Sequence, residues 1–238
     1  MKKTNLLYFA LLLSVATTFT SCFDIIEELF LNKNGSGTYS TTIDMSKAMS
    51  MMTSMMPDSL NDKMAATKHT TDSAVVSNWV TFDKSKGISN IKKNLTKDYV
   101  YTISMDFKDA DALNNALYEN GLFSAAKKTG DEAVTAKKEL EATKNLYNFK
   151  GGTFKRGEKG NYDKNLLKTG GADKETEEMT SQMLKDMKYT ILVHTPKEVR
   201  KTANKAATVS ADKKTVTLEA SMLDVVKGKV KLNNEIKF

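Results

Sequence analysis

Cys22 is the only thiol in a chain of 238 residues, so no disulfide can form within one molecule and the group is left for other chemistry. A thiolate is a strong nucleophile, and this one stands just beyond an apolar run. Other candidates for chemistry are few. His69 lies in the polar stretch TKHTTD, and His194 stands beside Thr195-Pro196 at the end of a strand-like segment. Both read as structural or solvated histidines. No HExxH, CxxC, GxSxG or GxxxxGK[ST] pattern occurs. The Gly-Gly pairs at 151–152 and 170–171 do not open a periodic helix, as a phosphate cradle would. Adjacent acids such as Glu177-Glu178 fit a solvated helix face. No cofactor or metal site is expected, and no enzyme. A hydrolase working through Asp and Glu alone is the weakest alternative, because nothing selects a pair.

The segment before the thiol explains it. Lys2 and Lys3 precede the apolar run LLYFALLLSVA (residues 6–16), and small polar residues follow. That order is a secretory signal peptide. The run is too short for a spanning helix, which needs roughly 20 residues. It ends Phe19-Thr20-Ser21-Cys22, which resembles the lipobox of bacterial lipoproteins: Leu, then Ala/Ser/Thr, then Gly/Ala/Ser, then Cys. Thr20, Ser21 and Cys22 match, and Phe19 replaces the preferred Leu. The resemblance implies a diacylglyceryl thioether on Cys22, cleavage before it, and often acylation of the new amino terminus. Two or more acyl chains hold a protein stably on a bilayer. The expected partner of Cys22 is therefore a membrane. In such lipoproteins an Asp next to the cysteine favours inner-membrane retention. Phe23 stands there instead, with Asp24 after it, which favours the outer membrane.

The net charge of +7 includes Lys2 and Lys3, which leave with the signal. A basic balance can serve nucleic acid. Here the lysines are scattered among acids, and only Arg156 and Arg200 offer the preferred phosphate-binding side chain. Nucleic acid is not an expected partner.

Met45, Met49, Met52 and Met56 recur at helical spacing and form a candidate apolar-ligand face, since methionine adapts to irregular apolar surfaces. A core stripe packed on a sheet is the plainer reading of the same spacing. Ser59 and Ser73 sit in Asp-Ser-aliphatic triplets that resemble the O-glycosylation sequon of some Gram-negative bacteria.

These residues need a frame to hold them. The chain divides into a signal at 1–21, an anchor and tether at 22–34, and one domain at 35–238. The tether FDIIEELFLNKN reads equally as an amphipathic helix or a first strand. Strands are expected at 38–43, 77–82, 88–95, 99–107, 146–154 (broken by its two glycines), 189–193, 207–210, 215–220 and 229–232. Helices are expected at 45–56 after Asp44, from Asp109 to Gly121, at 131–144, from Asp173 through Met187, and as one turn at 222–226. Residues 155–172 are expected as a flexible loop. At an offset of 62 residues Tyr39, Ile43, Asp44, Met45 and Ala48 fall on Tyr101, Met105, Asp106, Phe107 and Ala110, a hint of duplication. The fold class is α+β: an antiparallel sheet with helices on one face and a β-rich C-terminal third.

Two stretches, GSGTYSTTIDM (35–45) and KYTILVHTPKEVRKTANKAATVSADKKTVTLEAS (188–221), resemble the LppM-like lipoprotein domain family, with Leu218 where the family carries Trp. The resemblance implies handling of lipids or glycolipids. The expected function is a membrane-anchored, non-enzymatic envelope module for a lipid, glycan or protein partner. A structural or assembly subunit is the alternative. An apolar cavity beside Met49 and Met52 would favour carriage of a lipid, and a filled core would favour a scaffold.

Overall fold

The computed structural model describes residues 23–55, 86–96, 98–119, 145–158 and 174–238. Eleven strands and four helices occupy them in the order β1 (Phe23–Leu31), β2 (Gly37–Asp44), α1 (Ser46–Met55), β3 (Ile88–Leu95), β4 (Val100–Phe107), α2 (Ala110–Glu119), β5 (Tyr147–Lys150), β6 (Thr153–Arg156), α3 (Lys174–Asp186), β7 (Met187–His194), β8 (Lys201–Thr202), β9 (Ala207–Val209), β10 (Thr215–Ser221), α4 (Met222–Val226) and β11 (Asn234–Lys237). The fold is mixed α+β and strand-rich. A seven-stranded sheet runs β3-β4-β2-β1-β7-β10-β9, and a four-stranded sheet runs β5-β6-β11-β8.

The large sheet is antiparallel except where β1 and β7 run parallel. Strand alternation gives it one dry face. Leu29, Leu31, Tyr39, Ile103, Met105, Phe107, Tyr189, Ile191, Val193, Val216 and Leu218 all point that way and are buried. The registers align these residues across the strands, with Leu29 opposite Tyr39 and Val193, and Tyr39 opposite Met105. The intervening residues are half-buried or exposed, and many are Thr and Ser: Thr38, Ser40, Thr42, Thr102, Ser104, Thr190, Thr217.

The small sheet and the buried stripe of α2 (Ala112, Leu113, Ala116, Leu117) fill the dry side. Asp109 caps α2, its Oδ1 accepting from the Ala112 amide at 2.8 Å. Asn114, on the same stripe, treats the β5 backbone as a neighbouring strand would. Its Nδ2 donates to Tyr147 O at 2.7 Å and its Oδ1 accepts from Tyr147 N at 2.8 Å. A helix side chain thus satisfies a sheet edge that would otherwise template aggregation. At one edge of the large sheet, β3 carries a bulge between Ser89 and Lys92, with Asn90 at φ 51.

Of the sequence expectations, one alternative is resolved and four readings change. Residues 23–31 form the first strand, one of the two readings of that segment, and it is central in the large sheet, because Ile25, Leu29 and Leu31 sit on one parity and find a dry face there. The glycines at 151–152 do not interrupt one strand. They turn a hairpin, both with positive φ (58° and 74°), as a two-residue type I′ connection requires. The segment expected to be loop from residue 155 begins as the end of β6, where Lys155 and Arg156 pair with Asn148 and Tyr147. The alternating Lys229–Leu232 is irregular, and the strand lies just after it at Asn234–Lys237. Met187 opens β7 instead of extending the helix stripe. The strands at 88–95 and 99–107 pair as expected, as do β9 and β10. The repeated Tyr39 and Tyr101 occupy different settings, one fully buried and one half-buried. Strand 77–82 and helix 131–144 lie outside the described residues.

Gly37 shows how tightly the sheet closes. A Cβ there would stand 2.1 Å from Phe30 O and 2.7 Å from the Phe107 ring. Backbone cannot yield cheaply, and overpacking costs about 1–3 kcal/mol or more. Gly37→Ala is expected to lower the melting temperature by several degrees in thermal denaturation, whereas Gly151→Ala, with open space around it, is expected to show only the smaller cost of its positive φ.

Candidate functional site

An acid occupies the dry face. Glu27 shares the parity of Ile25, Leu29 and Leu31, and it is fully buried. Its partner comes from the other sheet. Arg156 of β6, 2 % exposed, donates to Glu27 Oε2 from Nε (3.0 Å) and Nη2 (2.9 Å). Tyr189 OH donates to Oε1 at 2.7 Å, and Tyr147 OH reaches Oε2 at 3.3 Å. The free side of the guanidinium is also used, with Nη1 donating to Leu232 O at 3.0 Å and to Gly157 O at 3.4 Å. Buried charges survive when paired and hydrogen-bonded in this way.

Aromatic rings wall off the pair. Tyr147 stacks on Phe154 (centroids 5.9 Å apart) and tilts against Tyr39 (6.3 Å). Burial and the nearby Glu27 charge push the phenols of Tyr39 and Tyr147 well above the usual value of 10.0. The Tyr39 hydroxyl is the one buried side-chain polar atom without a hydrogen-bond partner among the described residues. Thr41 stands near enough to influence it, but without bonding geometry.

Above Arg156 the surface opens into a groove of about 640 Å³, a volume suited to a small-molecule ligand. Asn145, Asn148, Asn204, Asn233 and Asn234 line it, together with Lys155, Lys231, Glu158 and Glu235. The asparagines divide the work. Asn204 locks the wall, its Nδ2 donating to Lys231 O and Asn233 O (2.8 Å each) and its Oδ1 accepting from Ala206 N (2.9 Å). Asn234 Oδ1 accepts from Thr202 Oγ1 and Asn204 N, both at 2.9 Å. Asn145, Asn148 and Asn233 are exposed and make no side-chain hydrogen bond to other described residues. Glu235 is held by Lys155 (2.8 Å) and Lys237 (3.3 Å), and those contacts lower its pKa. A proton-donating catalytic acid needs the opposite shift.

Among the described residues, a void between the sheets measures only about 10 Å³, lined by Phe154, Ile191, Val193, Val216, Leu218, Leu232 and Ile236 among others. That is about one water-sized sphere. Among the described residues no three His, Cys, Asp or Glu side chains gather as metal ligands. No described helix is long and apolar enough to cross a membrane.

Comparison with known proteins adds little. No family model matches the chain, and no curated protein matches it. One solved structure is similar: the NMR structure of the folded domain of the Mycobacterium tuberculosis LppM protein. It is 9 % identical, with a TM-score of 0.35, over 90 % of this chain and 88 % of that one. So loose a likeness carries no argument about what this chain does.

The residues singled out by sequence do not converge on the groove. Met45, just before α1, and Met49, on it, are half-buried, and the side chain of Met52 lies outside the described set, as do Cys22, Met56, Ser59, His69 and Ser73. His194 lies on the half-exposed face of the large sheet. It stacks on Phe30 (4.1 Å, 7°), with Nε2 2.8 Å from Glu28 Oε1 and Nδ1 3.0 Å from Thr215 Oγ1. Sequence reasoning missed the Glu27–Arg156 pair and the asparagines. The signal for the first was present: an acid on the apolar parity of a strand, and one of only two arginines in the chain.

Two outcomes follow. Glu27→Gln or Arg156→Met alone strands a buried partner and is expected to cost about 3–5 kcal/mol in urea unfolding. The double variant Glu27→Leu/Arg156→Met is expected to recover most of that loss. In alkali, a raised phenol pKa means stability fully present below pH 10 and lost as pH climbs through the folded value. Of the eight tyrosines, at least two are expected to ionise late at 295 nm, together with loss of near-ultraviolet circular dichroism. A single reversible titration near 10 for all of them would contradict the burial.

Proposed function

We propose that the chain is a lipid-anchored protein of the bacterial envelope, held by Cys22 in the outer membrane, and that it binds a hydroxyl-rich glycan in the asparagine groove without chemical turnover. The groove is the observation that carries the reading. An exposed amide offers a donor and an acceptor about 2.3 Å apart on one plane, which matches neighbouring hydroxyls on a sugar ring. Asn145, Asn148 and Asn233 present three such groups on a wall already braced by Asn204 and Asn234. The void between the sheets, among the described residues, is too small to store a lipid there. The pinned Glu235 speaks against acid catalysis in the groove. The anchor rests on the signal-like residues 1–21 and the lone thiol after them.

A second reading, a structural or assembly subunit, draws on the close packing between the two sheets among the described residues and on the broad Thr/Ser face of the large sheet.

Glycan-array screening and calorimetry on the Cys22→Ser soluble form test the groove. One neutral hydrogen bond contributes about 0.5–1.5 kcal/mol, so Asn148→Ala is expected to weaken binding of any glycan hit roughly 2- to 10-fold. Thr217→Ala, on the far side of the large sheet, is expected to leave it unchanged. Absence of any glycan hit, with crosslinking to one envelope protein in cells, would replace this reading with the assembly subunit.

A further inference from the structure

We infer that the sheet pole where β1 begins, bearing Phe23, Lys47, Lys185 and Met187, lies directly on the phospholipid headgroups, with the turn at Lys213 facing away. The inference rests on lipidation of Cys22 as proposed above, and adds to it a surface and an orientation.

The reason is the lack of slack. Phe23 is already in register with Met187 of β7, and Asp24 with both Lys188 and Asp44. β1 is an interior strand, paired on both sides over its length. Consecutive Cα atoms are about 3.8 Å apart, so the residue that would carry the acyl chains is one peptide from the rigid body. A flexible tether would let the domain float at any angle. None exists between Cys22 and Phe23.

The registers show what shares that pole. Asp44, at the end of β2, lies opposite Val100, at the start of β4, and Ser221 closes β10 opposite Lys188. Helix α1 leaves from the pole through Ser46 and Lys47, and α3 arrives through Lys185 and Asp186. The chemistry suits headgroups. Lys47 and Lys185 are exposed, and Phe23, Met45, Tyr99 and Met187 are half-buried, an apolar base with cationic tips. Acids share the rim with them, the exposed Asp98 beside Tyr99 and Asp224 beside Ser221 included. Asp44 accepts from Ser46 N (2.9 Å) and Oγ (2.6 Å), Asp186 accepts from Gln182 Nε2 (2.8 Å), and Asp24 lies beside Lys188 in register. The opposite pole holds the exposed Lys213, next to the β10 start that pairs with His194. Eight strand residues at about 3.3 Å each put it roughly 25 Å from the rim.

The test uses the full chain, expressed in a Gram-negative host, purified from membranes and reconstituted into vesicles of phosphatidylethanolamine and phosphatidylglycerol. Lipidation converts the native thiol to a thioether, so an added cysteine is the sole reactive thiol. Lys47→Cys and Lys213→Cys are labelled with a small fluorophore, and a quencher is attached to lipid headgroups. Quenching at position 47 is expected to exceed that at 213 several-fold. Insertion of a ten-residue Gly/Ser spacer between Cys22 and Phe23 is expected to keep flotation and erase most of the difference. Equal or reversed quenching in protein that floats overturns the orientation and leaves the anchor standing. Parent protein that reacts with the thiol reagent and fails to float overturns the anchor, and the orientation with it.

Discussion

Two opposite charges, Glu27 and Arg156, meet in the one place where this fold is otherwise driest. Each belongs to a different sheet, so their bond fixes how the sheets face each other. Hydrophobic packing alone tolerates sliding, because one aliphatic contact is much like the next. The ion pair does not. A register slip of one residue in β1 or β6 would turn its charge to the opposite face and leave the other buried alone, at a cost of several kcal/mol. The pair therefore contributes little net stability and much definition. Tyr189 and Tyr147 complete the carboxylate shell, and the Leu232 carbonyl takes the spare guanidinium donor, so no charge-bearing atom is stranded.

The groove inherits its shape from that bond. Arg156 belongs at once to the ion pair and to the groove lining. Its contact with Leu232 O draws in the segment that carries Lys231 and Asn233, and β11 pairs with β6 immediately afterwards, Asn234 opposite Arg156. Asn204 then ties Lys231 and Asn233 to the chain beyond β8. The exposed amides thus stand on a wall held by hydrogen bonds from three directions. Preorganisation of this kind lowers the ordering cost that binding would otherwise carry.

Legibility in the sequence followed strength of pattern. Most of the large sheet was readable because its inner strands are seven to nine residues long and alternate cleanly, as in Tyr189–Val193 and Val100–Phe107, and because Asp109 caps a helix with an unbroken apolar stripe. The small sheet was not, because four-residue strands such as Asn234–Lys237 carry only one or two inward side chains, too few for a period. There the alternating Lys229–Leu232 drew the expectation away from the real strand, whose Asn-Glu opening has poor β propensity. Its partners across space, Thr153–Arg156 and Lys201–Thr202, decide the matter. The Glu27 parity was readable but ambiguous, because FDIIEELFLNKN fits an amphipathic helix as well as a strand. The groove was not readable, since its five asparagines are spread from position 145 to 234 and only the fold assembles them.

The place of β1 also decides how load would enter the molecule. An anchor on an edge strand would peel one ladder rung at a time when the membrane and a bound ligand pull apart. An anchor continuous with β1 loads a strand that is hydrogen-bonded to β2 on one side and β7 on the other, and pinned through Glu27 to the second sheet. Tension along β1 then shears both ladders at once, so many hydrogen bonds must fail together. With the anchor proposed at Cys22, the charged strand in the middle of the sheet would take the load through two hydrogen-bonded ladders and one buried ion pair.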